Sequence, residues 1–152
     1  EIGRCCILTN VPGVKADRVA VVGLGMSSKL DATAFKKAVT AAATAISQTK
    51  AKQVFNALTL EAVADVSPYY LARHTAEAFN DVLYRFEQMK SGRKKARSPL
   101  QKIGLAMTQR GDAAKLKRGA EHGDGIAAGV AFSNDPSSYP FSITSNLSAC
   151  SW

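Results

Sequence analysis

The chain has 152 residues, of which 46% are hydrophobic and 21% charged. That is the range of one globular domain, large enough to bury a core without disulfide or metal staples. Three cysteines, Cys5, Cys6 and Cys150, form neither a disulfide framework nor a zinc pattern, so the default compartment is a reducing cytoplasm. No apolar run approaches the length of a membrane span, and no secretory signal is visible. The first residue is Glu1 rather than Met, which predicts a processed product or a fragment.

In chain order, CCILTN is a short apolar strand, and Pro12-Gly13 predicts a tight turn with Gly13 at positive φ. The β-branched run RVAVVGLG, Arg18 to Gly25, reads as a neighbouring strand buried on both faces and closed by glycines. A helix over 31–48 follows, with Asp31 as its cap and Phe35, Val39, Ala42 or Ala43, and Ile46 on its apolar stripe. Its alanines allow close approach to a sheet. KQVFNALT predicts a third strand over 52–58, and Ser67-Pro68 starts the longest helix, over 68–90, with Leu71, Thr75, Phe79, Val82 or Leu83, and Phe86 on one face. A fourth strand over 101–107 contains Gly104. The last helix, over 112–132, carries Gly119, Gly123, Gly125 and Gly129, each costing about 1 kcal/mol of helicity against alanine. Gly125 and Gly129, one turn apart, are the expected point of close approach to another backbone. Strands alternating with helices predict a three-layer α/β/α domain with a mixed central sheet over residues 1–132. Residues 133–152, with seven serines, two prolines and one charge, predict an irregular tail whose Phe141, Ile143, Leu147 and Trp152 could dock on a surface.

The excess positive charge is local. Between Lys90 and Arg118 ten basic residues accompany one acid, Asp112, while the rest of the chain is close to neutral. The densest part, Lys90, Arg93, Lys94, Lys95 and Arg97, lies in an exposed loop marked by Ser91-Gly92 and Pro99. Such a loop either tracks the phosphates of DNA or is a solvated hinge that aids solubility.

Candidate catalysts are few. VVGLG departs from the dinucleotide fingerprint, because Ser28 stands where a third glycine is needed and no acidic residue ends the next strand. It reads as a structural strand-end turn, with a small ligand at Gly23 and Gly25 as the alternative. His74 reads as a helix-surface or packing residue. EHGD suggests a metal site, but Glu121, His122 and Asp124 cannot converge on one continuous helix. Cys5 and Cys6 alternate across a strand, so at least one is expected in the core. No catalytic, cofactor or metal residue is assigned.

The ordered combination of ILTNVPGVKADRVAVVGLG, the capped alanine-rich helix, LYRFEQMKS, PLQKIGLAM and GIAAGVAFSND, spanning about residues 3–135, resembles the N-terminal domain of the leucyl aminopeptidases, the cytosol or PepA-type peptidases. The resemblance implies a macro-domain-like fold without catalytic machinery. Two metal ions, Mn²⁺ or Zn²⁺, belong in that family to a following catalytic domain, whose NTDAEGR motif does not occur here. It also implies a strand and helix of the same sheet before the position of Glu1, leaving an exposed sheet edge or apolar flank in this chain. The implied function is a non-catalytic domain of a metallopeptidase that releases N-terminal residues, preferably leucine, with a role in oligomer assembly. The implied partners are a second copy or the missing catalytic domain. A DNA-binding regulatory module using 90–118 and a macro-like nucleotide-binding domain are the alternatives.

Overall fold

The computed structural model describes residues 1–26, 29–61, 63, 65–89 and 99–134. Strands β1 (Cys5–Thr9) and β2 (Arg18–Val22) pair antiparallel, with Cys5 opposite Val22 and Thr9 opposite Arg18. The loop between them turns at Val11–Val14, where the Val14 amide donates to the Val11 carbonyl at 3.2 Å and Gly13 takes φ 81°. Proline before a residue of positive φ is the sequence requirement of that turn, as expected.

Helix α1 (Ala32–Ser47) starts at Asp31, whose carboxylate accepts from the Ala34 amide at 2.7 Å. Phe35, Ala38, Val39 and Ala43 on its stripe are buried. Its alanines serve a helix more than a sheet, because α1 packs most extensively on α2 (Pro68–Met89). On the α2 stripe Leu71, Thr75, Phe79 and Leu83 are buried, whereas the Phe86 side chain lies outside the described residues. Phe35 and Val39 are the centre of the main core, with Leu30, Leu71 and Phe79 around them.

Strand β3 (Gln53–Asn56) is shorter than its sequence suggests, because the Asn56 side chain accepts from the Leu58 amide at 2.9 Å and turns the chain into a 3-10 turn at Leu58–Leu60. It pairs in parallel with β4 (Lys102–Leu105), α2 being the crossover between them. A 3-10 turn at Arg110–Asp112 leads into α3 (Ala113–Asn134), so the last helix starts one residue later than expected and continues past 132. A second, smaller core of Ala72, Leu105, Leu116 and Ala120 joins α2, β4 and α3.

The fold is mixed α/β, and the described strands form two two-stranded sheets, one antiparallel and one parallel. No described strand supplies the hydrogen bonds that would join β2 to β3. Strand β2 is not buried on both faces: Val21 is 51% exposed, because α1 covers only one side of the hairpin. Finally, Gly119 and Gly123, not Gly125 and Gly129, make the close helix approach. A Cβ on Gly119 would fall on the Tyr69 carbonyl, and one on Gly123 would lie 2.6 Å from the Arg73 carbonyl, while at Gly125 and Gly129 it would meet open space. The predicted tail beyond Asn134 lies outside the described residues. Among the described residues no helix is long and apolar enough to cross a membrane.

Candidate functional site

The five basic residues singled out by the sequence, Lys90, Arg93, Lys94, Lys95 and Arg97, lie outside the described residues. Helices α2 and α3 run parallel: Gly119 rests on Tyr69, Gly123 on Arg73, Asp124 accepts from the Asn80 amide group at 2.7 Å, and the Tyr84 hydroxyl donates to the Ala131 carbonyl at 3.4 Å. Arg110, Lys115, Lys117 and Arg118 therefore gather at the end of the pair where Tyr69 lies. Met89, where α2 ends, lies some twenty residues further along that helix, or about 30 Å at 1.5 Å per residue. The charge at the start of α3 is partly neutralised, since Lys115 pairs with Asp112 at 3.1 Å and Lys117 with Glu121 at 3.9 Å.

The EHGD residues diverge. Glu121 faces Lys117, the His122 Nδ1 lies 2.9 Å from the Tyr69 hydroxyl, and Asp124 faces Asn80. Among the described residues no three His, Cys, Asp or Glu side chains come together as a metal site. The described residues do not fit a binuclear metal centre.

The strand-end glycines hold the start of the chain. The Gly3 amide donates to the Gly23 carbonyl and the Gly23 amide to the Arg4 carbonyl, both at 2.8 Å. A Cβ on Gly23 would strike the Glu1 carbonyl, and Gly25, at φ 83°, sits against Ile2. Residues 1–4 thus occupy the place where a strand-end ligand would enter. At the other sheet the ends of β3 and β4 are tied by side chains. The Thr59 hydroxyl donates to the Ala106 carbonyl at 2.7 Å, the Asn56 amide group to Thr75 at 3.4 Å, and the Thr75 hydroxyl to the Leu71 carbonyl at 2.8 Å. These buried polar groups satisfy one another, which is a structural role.

An open groove of about 660 Å³ runs between the start of β1 and the outer face of α1, lined by Gly3, Cys5, Thr33, Lys37, Ala41 and Thr44 among others. No histidine or carboxylate lines it. Cys5 is only half-buried and Cys6 is exposed, so neither belongs to the core as expected. Burial, with a smaller push from Cys6, raises the Cys5 thiol above its ordinary value, which keeps it protonated and a poor nucleophile at neutral pH.

Among the described residues a charged cluster lies on α2 beside α1, and the sequence reading passed over it. The signal was there in the spacing of Arg73 and Glu77, one helical turn apart. Glu77 accepts from Arg73 Nε at 2.7 Å, with His74 Nδ1 at 3.5 Å and Lys36 Nζ at 3.9 Å. His74 is thus a packing residue beside Tyr70, as expected. Burial pushes the Glu77 carboxyl up, but the hydrogen bonds and charges of Arg73 and His74 outweigh it and hold the carboxyl below its ordinary value. The contribution of ionised Glu77 is therefore complete above the ordinary carboxylate range and lost as the pH falls through and below about 4.5. Glu77→Gln should lower stability at pH 7 by no more than about 1 kcal/mol. Thermal melts across acidic pH should show a flatter dependence for the variant; equal slopes would mean that the cluster carries no net stabilisation.

Sequence comparison points one way. The profile of the cytosol aminopeptidase family, N-terminal domain, matches residues 1–93. The probable cytosol aminopeptidase of Psychromonas ingrahamii is 29% identical over 147 residues, 97% of this chain and 29% of that protein. That of Actinobacillus pleuropneumoniae serotype 5b is 32% identical over 140 residues, covering 92% of this chain and 28% of its own length. Among solved structures, the bottromycin maturation enzyme BotP superposes with a TM-score of 0.68 at 24% identity, covering 92% of this chain and 28% of that one. At that identity the likeness shows the fold alone. The chain spans less than a third of the length of each of these relatives.

Proposed function

The chain belongs to the cytosol aminopeptidase family through the N-terminal domain of that family, and from that premise we propose that it is a non-catalytic domain of a metal-dependent, cytoplasmic aminopeptidase, with a role in assembly. The observation that carries the reading is the match to the N-terminal domain over residues 1–93. Release of N-terminal residues, with leucine preferred, and the Mn²⁺ or Zn²⁺ that such hydrolysis uses are assigned on this reading to the catalytic part of such an enzyme. The two small sheets are read as pieces of one mixed sheet in a three-layer, macro-domain-like fold. Purified alone, the chain should hydrolyse neither leucine p-nitroanilide nor Leu-Gly with added Mn²⁺ or Zn²⁺, because attack by metal-bound water needs several converging ligands. Metal-dependent turnover that co-purifies with the chain as a single species would end the reading.

A second reading rests on the five charges within Lys90–Arg97. A loop that contacts only DNA phosphates should bind duplex of any sequence weakly, at about 10⁻⁴ to 10⁻⁶ M near physiological salt. Each contact should steepen the fall of log K with log salt by about 0.9. A salt titration with the parent and with an Arg93→Ala, Lys94→Ala, Lys95→Ala, Arg97→Ala variant decides: unchanged affinity and slope remove the loop as the contact surface.

A further inference from the structure

We draw no further inference here: the strongest candidate, the uncharged outer face of the second half of α3 around Gly125, Ile126, Gly129 and Val130, carries nothing, because residues 135–152 lie outside the described residues and nothing in the structure shows what covers that face.

Discussion

Gly119→Ala and Gly123→Ala should each destabilise the domain, although alanine is the better helix former by about 1 kcal/mol. The new methyl group at Gly119 would meet the Tyr69 carbonyl, and at Gly123 the Arg73 carbonyl and the Ala76 side chain, so α3 must move away from α2. Backbone atoms yield less readily than a flexible side-chain end. Overpacking of this kind costs about 1–3 kcal/mol net, and more when the backbone of both helices has to shift. Gly125→Ala and Gly129→Ala meet open space and should instead stabilise the chain by up to about 1 kcal/mol each. Urea unfolding midpoints of the four variants test the seating of α3. If Gly119→Ala proves as stable as Gly125→Ala, the two helices do not approach as described.

Phe35→Ala should be the most damaging single truncation. Phe35 is fully buried on α1, in the core cluster that also holds Val39, Leu71 and Phe79. Removing a buried phenyl ring costs about 3–5 kcal/mol, from lost transfer energy and from the cavity left behind. Against a total stability of about 5–15 kcal/mol, that is enough to lower the melting temperature by about 10 °C or more. Leu60→Ala, at a position 41% exposed, should change it by only a few degrees. Similar losses for the two variants would place the centre of the core elsewhere.

Much of the local structure was legible in the residues themselves. Asp31 caps α1, Pro12-Gly13 forms its turn, and the three-to-four spacing of Leu71, Thr75, Phe79 and Leu83 marks the buried stripe of α2. Each of these depends on interactions within a few residues of chain: a carboxylate reaching the free amide three residues on, a fixed φ beside a positive one, a helical repeat. The family was equally legible, in the order of its segments, and so was the failure of EHGD to converge, since helix geometry alone separates Glu121, His122 and Asp124.

Tertiary structure decided what depends on residues remote in sequence. The glycines of α3 all carry the same helical penalty, and only the parallel seating of α3 on α2 assigns Gly119 and Gly123 to the contact and leaves Gly125 and Gly129 outside it. The run RVAVV is apolar on both sides, yet Val21 is half in solvent, because β-branched residues specify a strand and not the layer that covers it. The positive charge between Lys90 and Arg118 is continuous along the chain, and only the seating of α3 on α2 places Lys115, Lys117 and Arg118 near Tyr69, about 30 Å along α2 from Met89. Capping, turns and periodicity are fixed by short-range sterics and hydrogen bonds. Which face is buried, and which charges meet, is set by whatever element the chain returns to that place, and the physical reason is that burial belongs to a pair of surfaces and never to one segment alone.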